Sequence, residues 1–173
     1  MINEKMQQAM NEQIKHEFYS AYLYLSMAAY FHRIGLDGMA QWMRVQAMEE
    51  EVHAMKFYDH IRDRDGMIQL LAVDGPQAEW ASPIEAWKAA YAHERLITGK
   101  INGLMKLANE VGDYASLPLL NWFVNEQIEE EASTAKPVQE LELIGGKGDG
   151  LLMLDREMGT RTFTMPVQNK QGA

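Results

Sequence analysis

The sequence predicts an all-α fold: a four-helix bundle with a long crossover between helices two and three and a short fifth helix. Four long segments carry apolar residues at steps of three and four, the spacing of one face of an α-helix. Glycines stand where three of these segments end, as they commonly do after a helix. A connection of about 15 residues with no regular period separates the second segment from the third, and that length can span a bundle.

The first two helices are predicted on either side of Gly35. The first runs from about Asn3 to Ile34 and contains no glycine or proline. The second runs from about Asp37 to Asp65, and Gly66 is predicted to end it. Each is long enough to extend over the whole height of a bundle.

The crossover is predicted from Met67 to Ala81, a segment that contains a Gly-Pro pair. Ser82 followed by proline is typical of a helix N-cap with proline at the first helical position. The third helix is therefore predicted from about Pro83 to Val111, and Gly112 is expected to stop it.

The fourth helix is predicted from about Asp113 to Ile144, with Pro137 expected to kink or weaken it. A glycine-rich break then precedes a short apolar fifth helix at about 150–158. We expect one domain over residues 1–160 and a C-terminal tail of little order over residues 161–173.

Composition and charge narrow the function classes. The chain has 173 residues and no cysteine, which excludes disulfides, thiolate zinc sites, iron–sulfur clusters and a cysteine nucleophile. A formal net charge of -9 argues against a nucleic-acid partner. No stretch is apolar enough for a membrane span, and the first residues lack the apolar core of a signal peptide, so a cytoplasmic location is expected.

An acidic residue interrupts the apolar face of each long helix near its midpoint. Glu17, Glu50 and Glu94 hold these positions in the first three helices, and an acidic cluster over 126–130 does so in the fourth. Glu50 and His53 leave the same face of their helix. A lone helical glutamate is usually a solvated surface residue. Several carboxylates in one desolvated layer, however, repel one another unless they are protonated or bridged by cations. The joint pattern therefore predicts a pair of divalent metal ions.

The ligand types narrow the choice of metal. Carboxylates with one or two imidazoles suit iron or manganese, and without cysteine a structural zinc site is less natural. Hard oxygen ligands stabilise Fe(III) relative to Fe(II), which favours oxidation of bound ferrous iron by O2.

In these motifs the chain resembles the non-haem bacterial ferritins over nearly its full length, which implies a ferritin-like four-helix bundle. Such bundles take one Glu from each of two helices and Glu-x-x-His motifs from the others. The motifs that carry the resemblance are Glu17 in Lys15-His16-Glu17-Phe18-Tyr19, Glu50-x-x-His53, Glu94 in His93-Glu94-Arg95, and Asn125-Glu126-Gln127-Ile128-Glu129-Glu130.

Departures from related families refine the resemblance. Rubrerythrin-like and bacterioferritin-like proteins have a second Glu-x-x-His on the fourth helix, where this chain has Gln127-x-x-Glu130. Bacterioferritins bind haem through a Met at the position of Val52, so we expect no haem. Leu117 and Leu120 stand where animal ferritins line their three-fold channels with acidic residues, so an acidic three-fold route for iron is not expected here.

The resemblance implies an iron storage protein that forms a shell of 24 identical chains. Fe(II) would be oxidised by O2 or H2O2 at a dinuclear ferroxidase centre and stored as an Fe(III) mineral. The first iron is assigned to Glu17, Glu50 and His53. The second is assigned to Glu50, Glu94 and Glu130.

The resemblance also implies roles for residues around the two irons. Gln127 is expected to form hydrogen bonds near the oxygen-binding side, and Tyr24 could donate an electron. Glu49, Glu126 and Glu129, together with a ligand of the second iron, match a third, inner iron site found in some bacterial ferritins.

Two other functions are compatible with the sequence. One is a di-iron bundle that scavenges peroxide without storing iron, which would form a small oligomer. The other is a structural helical bundle without metal, which would not accelerate Fe(II) oxidation.

Overall fold

A computed structural model describes residues 1–164, which are helical with intervening loops. The five α-helices are α1 (Glu4–Arg33), α2 (Asp37–Asp63), α3 (Pro83–Glu110), α4 (Leu117–Leu143) and α5 (Gly148–Met158), and a short 3-10 turn (Tyr114–Ser116) precedes α4. Helix α1 packs on α2 and α3, α3 packs on α4, and α5 packs on α2. The predicted fold class is confirmed. Residues 165–173 of the predicted C-terminal tail lie outside the described residues.

The connection between α2 and α3, residues 64–82, runs along the full length of α1. At its beginning, the Met67 amide donates to Gln7 Oε1 at 2.8 Å, close to the start of α1. Near its end, Arg33 donates to Glu79 Oε1 at 2.6 Å, at the last residue of α1. Because this crossover carries the chain back across the bundle, α2 and α3 run parallel to each other. None of the helices in residues 1–164 has the length and apolar character needed to cross a lipid bilayer.

Local signals place most helix ends. The Ser82 hydroxyl accepts a hydrogen bond from the Glu85 amide at 3.4 Å, with Pro83 next in the chain, which confirms the predicted start of α3. Gly35 and Gly112 follow α1 and α3 with φ angles of +78° and +69°. These values confirm both as left-handed residues after a helix.

The end of α2 differs from the prediction. Asp65, with φ of +54°, is the left-handed residue after this helix, and Gly66 is not. Gly66 serves a different purpose, because a Cβ there would lie 2.7 Å from the Ile61 side chain and 2.8 Å from Ile2. The glycine therefore lets the start of the chain close over the end of α2.

The two C-terminal helices also begin at other residues than predicted. Helix α4 starts at Leu117 instead of Asp113, because the preceding residues form the 3-10 turn and Pro118 suits the first turn of a helix. It then continues through Pro137 to Leu143. Helix α5 begins at Gly148, earlier than the predicted 150, with Asp149 placed where a negative charge favours a helix N-terminus.

The apolar core consists of two clusters separated by a layer of buried polar side chains. One cluster lies at the end of the bundle that holds Phe31 and Trp87, and the other lies at the end that holds Phe57 and Phe123. Between them the buried residues are polar: Gln13, Glu17, Ser20, Gln46, Glu50, His53, Glu94, Gln127, Glu130 and Thr134. This layer contains the acidic residues that the sequence places at the helix midpoints.

Helix α5 is fixed to the start of α2 by direct backbone contact. A Cβ on Gly38 would lie 1.7 Å from the Asp155 carbonyl oxygen, and one on Gly159 would lie 3.2 Å from the Gly38 Cα. The Asp155 side chain accepts a hydrogen bond from the Met39 amide at 2.8 Å. It thereby caps the N-terminus of α2, which has no capping side chain of its own.

We expect Gly38→Ala to detach α5 from α2 and to lower the free energy of unfolding by roughly 1–3 kcal/mol, because the added methyl group has no space. The matched control is Gly103→Ala. Gly103 is also helical, but a Cβ there meets nothing within 4 Å. That substitution should be neutral or should stabilise the protein by roughly 0.5–1 kcal/mol. Thermal or denaturant melts compare the two variants, and equal effects would contradict the backbone contact.

Candidate metal centre

Four helices contribute ionisable side chains to the polar layer. All of them are at most 5% exposed, and they are Glu17 from α1, Glu50 and His53 from α2, Glu94 from α3 and Glu130 from α4. The helix periodicity explains their meeting, because each occupies a core-facing position that an apolar residue would otherwise fill. Among residues 1–164, no Lys or Arg forms an ion pair with any of these carboxylates.

The five side chains form two overlapping groups of potential metal ligands. Glu17, Glu50 and His53 offer ligand atoms that all lie within 4.8 Å of one another. Glu50 belongs to a second group of the same kind, with Glu94 and Glu130. A carboxylate has two oxygens and can join two metal ions, so Glu50 is placed to bridge the two groups.

Buried amides fix the carboxylates in place. Gln13 Nε2 donates to Glu17 Oε1 at 2.8 Å. Gln46 Nε2 donates to Glu50 Oε1 at 2.9 Å and to Glu130 Oε2 at 2.7 Å. These bonds occupy one oxygen of each carboxylate and limit its rotation, as the partners of metal ligands commonly do.

One oxygen in the layer has no partner. Within residues 1–164, Glu17 Oε2 is buried and makes no hydrogen bond. A buried oxygen of this kind is costly unless a donor or a cation satisfies it. Its position in a group with Glu50 and His53 makes a bound cation the natural partner, so the residues present suit a metal ion.

Burial raises the pKa of three of the carboxyls. The pKa of Glu17 and that of Glu94 are each raised from 4.5 to about 8, first by burial and then by the charge of Glu50. The pKa of Glu130 is raised well above its ordinary value by burial and by the charges of Glu94 and Glu50. Without metal, Glu17 and Glu94 therefore keep their protons at neutral pH, and burial favours the protonated form of Glu130 as well.

Glu50 behaves in the opposite way. Burial alone would raise its pKa, but hydrogen bonding and attraction to His53, with a hydrogen bond from Gln46, lower it below the ordinary value. Burial alone would lower the pKa of His53, but the neighbouring carboxylates of Glu126 and Glu50 raise it well above its ordinary value. Repulsion and burial therefore raise the pKa of Glu17, Glu94 and Glu130 but not that of Glu50. It forms an ion pair with His53, whose Nδ1 lies 3.5 Å from Glu50 Oε2.

The other predicted residues lie around this centre at different distances. The Tyr24 hydroxyl donates to Glu94, and burial raises the pKa of Tyr24 well above its ordinary value. Gln127 Nε2 donates to Glu94 Oε2 at 3.3 Å. Both side chains therefore contact a ligand of the second group.

The structure brings together only part of the predicted third site. Glu126 joins Glu130 and His53 in a group of potential ligands. Glu49 is half-buried and pairs with Arg161, while Glu129 is exposed. Within residues 1–164, neither Glu49 nor Glu129 belongs to a group of three potential ligands.

Sequence reasoning missed three residues that act on the site. Gln13 and Gln46 each stand four residues before a ligand glutamate, and this repeated spacing is a signal that could have identified both as hydrogen-bond donors. Arg161 lies beyond the last predicted helix in a segment without any period. Its contact with Glu49 depends on the docking of α5 and has no local signal in the sequence.

The raised pKa of Glu17 leads to a prediction about pH. The pKa of Glu17 is 4.5 in the unfolded chain and about 8 in the folded protein. At a pH between these two values, the folded protein retains a proton that the unfolded chain has lost. The metal-free protein should therefore lose stability as pH rises through this range. Glu17→Gln does not titrate, so its stability relative to the wild type should increase with pH, by roughly 1 kcal/mol or more above pH 8. Melts in chelator across this range provide the measurement, and a difference independent of pH would contradict the raised pKa.

Comparisons with known proteins agree with this geometry. A family model described as a ferritin-like domain matches residues 7–144. A bacterial non-haem ferritin of Staphylococcus aureus is 35% identical over 163 residues, which cover 94% of this chain and 98% of the relative. A bacterial non-haem ferritin of Staphylococcus saprophyticus is 37% identical over 163 residues, which again cover 94% of this chain and 98% of the relative.

Solved structures give the same result. An open-pore ferritin from the hyperthermophilic archaeon Archaeoglobus fulgidus is 48% identical, with a TM-score of 0.92 over 94% of this chain and all of the other. A closed form of that ferritin, engineered by mutagenesis, is 49% identical with a TM-score of 0.93 over 95% of this chain. The resemblance found in the sequence motifs is confirmed: with its buried carboxylate layer and a fold shared over nearly its whole length, this chain belongs to the ferritin family.

Proposed function

We propose that this chain stores iron, oxidising Fe(II) with O2 at a dinuclear centre and depositing Fe(III) mineral inside a shell of 24 identical chains. The observation that carries the proposal is the position of Glu50 in both buried ligand groups. One side chain that serves two groups would hold two Fe(II) substrates side by side. The relatives named non-haem ferritins support the same function.

The residues of the site suit this chemistry. Two Fe(II) ions held together supply two electrons to one O2 molecule, and carboxylate oxygens favour the Fe(III) product. Glu17 and His53 would hold one ion, and Glu94 and Glu130 the other, with Glu50 shared. Iron is then a substrate that passes through the site, and the protonated carboxyls must release protons when it binds.

The surface supports self-assembly. Tyr22 and Leu25 of α1 are 55% and 43% exposed, and Val73 of the crossover lies beside them in one shallow pocket. On α5, Leu152 and Met153 are 50% and 71% exposed. Exposed apolar groups on two separate faces suit contacts with further copies of the chain, as a closed shell requires.

The test combines iron oxidation with particle size. Fe(II) is added to the purified protein in air, and Fe(III) formation is followed by stopped-flow absorbance against a no-protein control. Light scattering and electron microscopy measure the particle and its iron core. We expect fast oxidation and a large hollow particle that fills with iron. Fast oxidation by a small oligomer would instead support peroxide scavenging without storage, and the absence of any acceleration would support a structural bundle.

A further inference from the structure

Arg161 reaches the metal centre from outside the four-helix bundle. It follows α5, and the contact between Gly38 and Gly159 fixes the position of the chain two residues before it. Its guanidinium lies over the Trp42 ring, 4.1 Å from the ring centroid, an arrangement that is attractive for a cation. The docking of α5 therefore determines where this positive charge is placed.

From this position Arg161 binds two residues on one face of α2. Its Nη1 donates to Gln46 Oε1 at 2.8 Å, and its Nη2 donates to Glu49. Trp42, Gln46 and Glu49 recur at steps of four and three, so one guanidinium can contact all three side chains. Planar guanidinium groups favour such combined stacking and hydrogen bonding.

The bond to Gln46 determines how that amide is turned. Gln46 is fully buried, and its Nε2 donates to both Glu50 and Glu130. Because Arg161 donates to Oε1, the carbonyl end of the amide faces the guanidinium and the NH2 end faces the two carboxylates. The opposite orientation would place a carbonyl oxygen against carboxylate oxygens and an NH2 group against a cation. Arg161 thereby acts on two ligands that it does not touch.

The bond to Glu49 has a second effect. The resemblance to the non-haem bacterial ferritins implies that a third, inner metal ion would use Glu49 together with Glu126, Glu129 and Glu130. Of these, the structure groups Glu126 and Glu130 with His53, and Glu49 lies outside that group. Arg161 occupies this carboxylate with a permanent positive charge. A further divalent cation at Glu49 would have to displace the guanidinium or tolerate it as a neighbouring like charge.

We propose that Arg161 is a built-in counter-cation that takes the place of a third metal ion at Glu49 and positions Gln46 between Glu50 and Glu130. The inference rests on the proposed function, because it assumes that the two ligand groups bind metal. It predicts a site limited to two tightly bound ions per chain, even though Glu49 is present.

The test is metal stoichiometry, measured with Zn(II) by calorimetry on the assembled, iron-free protein. The wild type should bind about two tight ions per chain and Arg161→Gln about three, the third at least roughly tenfold tighter than any further ion on the wild type. Arg161→Lys keeps the charge and should stay closer to the wild type. Arg161→Gln combined with Glu49→Gln should lose the third ion again. A gain in stoichiometry distinguishes this role from a merely structural one, which could only lower metal binding.

Arg156→Gln provides the matched control, since Arg156 is an exposed basic residue on α5 and forms no ion pair within residues 1–164. It should bind metal as the wild type does. The inference fails if the wild type already binds three tight ions, or if assembled Arg161→Gln gains none. If the wild type binds no Zn(II) at the two groups, the proposed function itself fails, and the two failures are therefore distinguishable.

Discussion

Replacing Glu50 with Gln should abolish metal binding at both ligand groups and slow Fe(II) oxidation by more than about 100-fold. The reason is that Glu50 is the one residue present in both groups. Changing a residue that merely supports a metal ligand commonly reduces metal affinity or activity by roughly 10–100-fold. Loss of a ligand that both groups share should reduce metal affinity and activity by more than this. Zn(II) calorimetry and stopped-flow oxidation of Fe(II) measure the two effects.

The neighbouring Glu51 provides the control for this substitution. It is acidic and adjacent in sequence, but it is exposed and belongs to neither group. Glu51→Gln should bind metal and oxidise iron at the wild-type rate, and both variants should form particles of wild-type size. Rapid oxidation by assembled Glu50→Gln would show that the bridging role assigned to Glu50 is wrong.

Addition of a redox-inert divalent metal should raise the melting temperature of the iron-free protein by roughly 15–30 °C when both ligand groups are filled. A ligand at about 1,000 times its Kd stabilises the folded state by about 4 kcal/mol per site, provided that it does not bind the unfolded chain. In a chain of this length, each additional kcal/mol of unfolding free energy raises the melting temperature by about 2–4 °C. In the metal-bound state, the positive charge of the ions takes the place of the protons on Glu17, Glu94 and Glu130 and compensates the buried negative charge of these carboxylates.

Scanning calorimetry with Zn(II) and with chelator measures this shift. Glu50→Gln, which keeps the fold but loses the shared ligand, should show little of it. Equal shifts in both proteins would mean that the stabilising ions bind elsewhere on the acidic surface. A melting temperature of the wild type that does not respond to metal would contradict a binding site in the central layer.

Residues whose roles depend on helix periodicity could be predicted from the sequence. Glu17, Glu50 and Glu94 each interrupt an apolar stripe, and a stripe in a long helix determines which side chains face the core. The same reasoning separates the core-facing Glu50 from its neighbour Glu49, but it could not predict that Glu49 pairs with Arg161. That arginine reaches α2 only through the docking of α5, which is a tertiary contact without a repeating pattern.

Helix ends were less predictable for a related reason. Asp65 takes the left-handed conformation next to a glycine that could have taken it more easily. The choice is decided by Ile2 and Ile61, which leave no space for a side chain at residue 66. Packing between distant parts of the chain therefore overrides the local preference at this position.

The polar layer also affects how the protein opens locally. It separates the apolar core into the cluster around Trp87 and the cluster around Phe123, so few apolar contacts join the two ends of the bundle. Without metal, the two ends should behave as separate cooperative units, and their amide protons should exchange with solvent at different rates. Ions bound across all four helices would connect these units, so that Zn(II) should bring the slowest-exchanging amides of both ends toward a common rate. Unchanged exchange at both ends after metal binding would show that the layer does not divide the bundle in this way.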